Sequence, residues 1–306
     1  MTLKNYIVTS EGRHTIGVWL VALLYLAIIV SVGVHGLGYY RLPLEARPFH
    51  PLNRELRPSG PMGMRMAFMG VATFFGIYLY SIRKYWRWLA QVGKTRNWLD
   101  VHVVMGTAAP VLITFHSAFK TRGLAGAAYW IMIVVALSGF VGRYLYAQVP
   151  RRLNAAELTL SDMEAMAGEL TLQLQTQSLF SNQDLKPLLA VPTKQQVERM
   201  SVARAFLVML ACDLKRPFQV ARLRRRTVTG FRRVATLWGL LPSHQAKLES
   251  IIELMRKRAW MATKISFLAK TRQVFHLWHV IHRPFSYSFA VLVCVHVAFA
   301  MLIGYY

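Results

Sequence analysis

The chain has 306 residues, 55% of them hydrophobic, with 37 Lys and Arg against 13 Asp and Glu, for a formal net charge of +24. So much positive charge at a mean hydropathy of +0.33 argues against an ordinary soluble domain and suits a membrane protein with basic loops. The same charge would serve nucleic-acid binding, but long uncharged apolar runs make that the weaker reading.

Five runs approach or exceed the roughly 20 residues needed to cross the hydrocarbon core: 16–37, 66–82, 98–118, 125–141 and 285–306. The first is too long for a signal-peptide core and lacks a small-residue cleavage site, so it is expected to remain as a helix. The second is the shortest. Between the fourth and fifth runs lie about 125 residues, too many for a simple connection. Within them, 158–180, 197–214, 227–241 and 247–268 carry apolar positions at helical spacing. The predicted fold is an all-α membrane protein, a bundle of five transmembrane helices with a helical cytoplasmic insert between helices 4 and 5. The expected domains are 1–149 (helices 1–4), 150–274 (the basic insert, partly lying on the bilayer surface) and 275–306 (helix 5).

Orientation follows from Lys and Arg. With the N-terminus inside, seven of the 37 fall outside (Arg41, Arg47, Arg54, Arg57, Arg65, Lys120 and Arg122) and the remaining 30 inside. The short flanks 83–96, 143–152 and 270–283 give the same answer as the long insert. The expectation is an integral protein of a bacterial cytoplasmic membrane, N-terminus in and C-terminus out.

Two histidine pairs share one spacing. His116 follows His102 by 14 positions in the third run, and His296 follows His282 by 14 in the fifth. On a helix this is roughly 21 Å of rise and a rotation about 40° short of four turns, so each pair presents both imidazoles on nearly one face at two depths. Neutral imidazole is a good axial ligand for haem iron. Runs three and five point the same way, so His102 and His282 would hold an inner haem and His116 and His296 an outer one. A lone intramembrane histidine reads more simply as a packing or proton-relay residue; four in matched register favour ligation. Zinc fits poorly, because ligands 21 Å apart cannot share one ion. Cys212 and Cys294 support neither a disulfide nor an iron–sulfur cluster.

His282 matches the face of His296 best. If Pro284 starts the fifth helix, however, His282 precedes regular geometry, and His279 becomes the alternative inner ligand. Otherwise His279 and His276 are surface or propionate-side residues. Pro110 should kink the third helix. Gly106, one turn after His102, reads equally as room for a porphyrin face or as close helix packing. Arg143 could pair with a propionate of the inner haem, or serve as a topology anchor beside Tyr144 and Tyr146. His35 reads as packing, with quinone or haem contact as the other reading; His14, His50 and His244 carry no assignment.

The stretches 98–106 (WLDVHVVMG) to His116, and 278–285 (WHVIHRPF) to His296, resemble the di-haem cytochrome b and ferric-reductase-like transmembrane families. The resemblance covers the spans and not the insert. It implies two haem b groups and electron transfer across the membrane; quinone is a candidate further cofactor, one of two readings of the acceptor beside a second protein partner. Ferric reductases of this kind usually carry a fused flavin and nicotinamide module; no GxGxxG is present here, so electrons from NAD(P)H would need another subunit. The expected partners are membrane lipid and other redox subunits, an iron–sulfur protein or a multihaem cytochrome. The insert's arginines (Arg222, Arg224, Arg225, Arg226, Arg232, Arg233, with Arg256, Lys257 and Arg258) read evenly as anionic-lipid contacts or a docking site for an acidic partner. No nucleic-acid partner is expected, since no binding motif accompanies the charge. The leading function is therefore a di-haem subunit of a membrane oxidoreductase. The alternatives are a haem-free scaffold or proton-relaying transporter, and a membrane-bound regulator with a nucleic-acid-binding insert.

Overall fold

A computed structural model describes residues 10–149, 160–175, 190–227, 242 and 245–304. These residues form helices and connecting turns, with no strand among them. The principal helices are α1 (Ser10–His35), α2 (Pro61–Ile82), α3 (Thr95–His116), α4 (Gly123–Gln148), α5 (Leu160–Gln175), α6 (Val202–Thr227) and α7 (Ala246–Leu302). Five helices among the described residues are long and apolar enough to cross a membrane, consistent with an integral membrane protein.

The boundaries follow local chemistry. α2 starts five residues ahead of the 66–82 apolar run, at Pro61 in the first turn behind an extended Gly60. Proline is preorganised for that position and loses no helical hydrogen bond there. α3 runs unbroken through Pro110. The fifth apolar run is the end of the 57-residue α7, which continues through Pro284. Pro284 thus does not begin a helix, and His282 lies within regular helical geometry. Of the insert segments, 158–180 is represented by α5 and 197–214 by α6, which begins at Val202; 247–268 lies inside α7. Segment 228–241, with Arg232 and Arg233, and His244 lie outside the described residues.

The chain divides into two compact units: residues 1–143 with 280–306, and residues 144–279. In the first unit α2 and α3 are antiparallel and tightly packed. Glycines permit the approach: a Cβ on Gly70 would come within 2.5 Å of Ile113 Cδ1, and one on Gly76 within 2.7 Å of Met105 Cε. Val32 of α1, Met66 of α2 and Leu112 of α3 form one buried cluster; Phe74 of α2, Met132 of α4 and Phe289 of α7 form another. Hydroxyls link the helices pairwise: Tyr25 with Thr73 at 2.8 Å, Thr114 with Tyr129 at 3.0 Å, and Tyr78 donating to the Ser286 carbonyl at 2.7 Å.

After His116 the chain leaves α3 through two consecutive left-handed residues, Ala118 (φ 48°) and Phe119 (φ 61°), each disfavoured for a side chain bearing Cβ. Arg47, 6% exposed, holds this turn. Its guanidinium donates to the carbonyls of Leu42 (3.0 Å), Tyr40 (3.0 Å) and Ala118, and it lies 5.4 Å from the Tyr39 ring centroid. A cation is well placed beyond the negative end of the α3 dipole.

In the second unit α5, α6 and the N-terminal part of α7 share a core of Leu174, Val220, Leu223, Ile252 and Met255. Arg224 is buried and bidentate on Glu249, at 2.9 and 2.6 Å. Asp213 accepts from Tyr144 Oη (2.8 Å) and Gln148 Nε2 (2.6 Å) and pairs with Arg216 at 3.1 Å. Burial, then the neighbouring Asp213 carboxylate, pushes the Cys212 thiol above its usual range, away from the thiolate that reacts or binds metal.

Replacing Arg47 with Met strands carbonyls around the α3 exit. The expected loss is about 1–3 kcal/mol of stability, read as a lower unfolding midpoint in detergent at unchanged helical circular dichroism.

Candidate functional site

Three of the four matched histidines are held through Nδ1. His102 Nδ1 lies 3.1 Å from the Ile77 carbonyl oxygen and His116 Nδ1 lies 3.0 Å from that of Gly63. A carbonyl only accepts, so each imidazole donates Nδ1–H, and in the neutral ring the lone pair then resides on Nε2. His282 Nδ1 is 2.7 Å from Ser138 Oγ of α4, a hydroxyl that also lies 2.8 Å from the Val135 carbonyl oxygen.

The two carbonyl anchors repeat the histidine spacing. Ile77 and Gly63 are 14 residues apart on α2, as His102 and His116 are on α3. Because the helices are antiparallel, one register satisfies both rings at their two depths. This anchoring leaves no trace in the side-chain sequence, since any residue supplies a carbonyl. The Tyr80 ring lies 5.2 Å from that of His102.

His296 is exposed on α7, among apolar residues, where an imidazole facing hydrocarbon alone would be costly. Gly106 has open space in place of a neighbour: an added Cβ would meet nothing within 4 Å. It therefore does not serve close helix packing. Pro110 also deprives the Gly106 carbonyl of its usual intrahelical donor.

Arg143 donates to Asp100 Oδ1 at 2.8 Å. Its partner in the structure is thus a protein carboxylate at the start of α3. His14 Nε2 is 3.6 Å from the other oxygen of Asp100. The sequence reading overlooked this group, although Asp100 is the lone acid within the 98–118 run. Ser138 was likewise overlooked as a partner of His282. His279 contacts its own helix, with Nδ1 3.0 Å from the Phe275 carbonyl and its ring edge-on to Phe275 and Trp278. His35 sits 3.4 Å from Glu55, and His50 Nδ1 accepts from the Leu52 amide at 3.2 Å.

No group of three or more His, Cys, Asp or Glu suited to a metal ion occurs among the described residues. A tetrahedral ion held by protein ligands alone therefore has no donor set there; a haem iron needs only two axial donors. Searches of family models, curated proteins and solved structures find no match to this chain.

The Asp100–Arg143 pair can be tested by a double-mutant cycle with Asp100→Asn and Arg143→Gln. Both side chains are partly exposed, so a modest coupling of about 0.5–1 kcal/mol is expected in detergent unfolding. Zero coupling would mean the pair does not tie α3 to α4.

Proposed function

We propose that this chain is a di-haem b-type cytochrome subunit of a membrane oxidoreductase, with quinone or a second redox protein at one end of its electron path. What carries the proposal is the matched 14-residue repeat of histidines and of their α2 carbonyl anchors. When bound, haem supplies reversible one-electron chemistry at iron.

The roles of the residues follow from the contacts above. His102 with His282 would hold the inner haem and His116 with His296 the outer. An imidazole that donates Nδ1–H to a fixed oxygen keeps its ring orientation and is a stronger donor through Nε2. The carbonyls of Ile77 and Gly63 and the hydroxyl of Ser138 would do this for three ligands. The open space at Gly106 would give a porphyrin face room beside His102. Arg143 has five N–H donors, of which Asp100 takes part; the rest can meet a propionate. With two imidazoles holding each iron, as proposed, these residues would suit electron transfer rather than oxygen chemistry. The expected setting is a bacterial cytoplasmic membrane with the N-terminus inside.

Protein purified from haem-replete cells should show a reduced b-type spectrum with about two haems per chain by pyridine haemochrome. His116→Ala should lower this to about one, and Gly106→Leu should remove chiefly the inner haem at unchanged helix content. A colourless preparation would favour the haem-free scaffold or proton-relay reading. Retention of both haems in His116→Ala would refute the pairing.

A further inference from the structure

The face of α6 turned away from its core carries three large exposed apolar side chains. Leu207, Leu214 and Phe218 are 61%, 60% and 65% exposed. At about 100° per residue they fall within about 40° of one another, a continuous apolar stripe. Exposed Arg204, Lys215 and Arg222 lie about 60–80° to one side of that stripe. The opposite face of the helix is occupied in the core by Ala205, Met209, Val220 and Leu223. Among the described residues, the helix is thus apolar on two faces, one of them exposed and edged with cations.

We propose that this face of α6 docks on an anionic bilayer surface, with Leu207, Leu214 and Phe218 entering the headgroup boundary and Arg204, Lys215 and Arg222 contacting lipid phosphates. Such a pattern is the one interfacial helices use: apolar area supplies the insertion and flanking cations choose anionic lipid. An acidic protein would satisfy the cations but not three large exposed apolar side chains together. The bilayer is also always at hand. The unit is joined to apolar spans at both ends, through α4 and through α7, so the lipid surface acts at a high effective concentration. The docking is independent of the haem proposal.

The full-length protein, with Cys212→Ser and Cys294→Ser, is reconstituted in lipid nanodiscs that are either neutral or roughly one-third anionic. A nitroxide is placed at Leu214→Cys or, as a control, at exposed Lys257→Cys. In anionic discs the label at 214 should have an oxygen-to-nickel-chelate accessibility ratio several-fold above that at 257. Charge reversal in the combined variant Arg204→Glu, Lys215→Glu, Arg222→Glu should abolish the difference at unchanged helix content. A label at 214 as open to the chelate as that at 257 in anionic discs would overturn the proposal. So would a label closed to both reagents in both discs, which would mean that protein covers the stripe.

Discussion

The close antiparallel packing of α2 on α3 is the constraint on which the rest of the first unit depends. Gly70 and Gly76 bring the helices near enough for the carbonyls of α2 to reach the imidazoles of α3. A helical carbonyl already accepts one intrahelical bond, but its second lone pair is open to a neighbour. Two such carbonyls 14 residues apart therefore set both rings at once. The tautomer and orientation of His102 and His116 are then properties of helix packing, and with them the availability of Nε2 for a ligand.

Elsewhere the apolar helices are tied by few but specific polar contacts. In hydrocarbon there is no water to accept an unmade bond, so hydroxyl pairs such as Tyr25–Thr73 and Thr114–Tyr129 select one arrangement among many apolar packings. Ser138 extends this to His282, giving α4 a hold on the fifth apolar segment. At one end of α3, Arg47 closes a turn whose left-handed residues would otherwise be disfavoured. At the other, Asp100 gathers Arg143 and His14. Charge thus anchors the chain at both ends of the histidine-bearing helix, and carbonyls of α2 hold its imidazoles at 102 and 116.

The positive charge of the chain has more than one use. Arg224 and Arg216 are internal, neutralised by Glu249 and Asp213 and serving the second unit's own fold. Arg204, Lys215 and Arg222 remain on the outer face of α6. Net charge alone does not separate these groups, because arginines one or two positions apart on a helix face opposite directions.

The sequence by itself determined the helical class, the five apolar segments and the equal spacing of the two histidine pairs, because hydropathy and helical period are local properties. It also singled out Gly106 and Arg143 but left each with two readings. Tertiary structure set open space around Gly106, which argues against close helix packing there, and gave Arg143 a carboxylate partner in Asp100. It likewise carried α7 through Pro284, which puts His282 in regular geometry, and it supplied the Ile77 and Gly63 anchors. A backbone carbonyl has no residue identity, and a proline's effect depends on what packs around the helix; neither can be read from side-chain order alone.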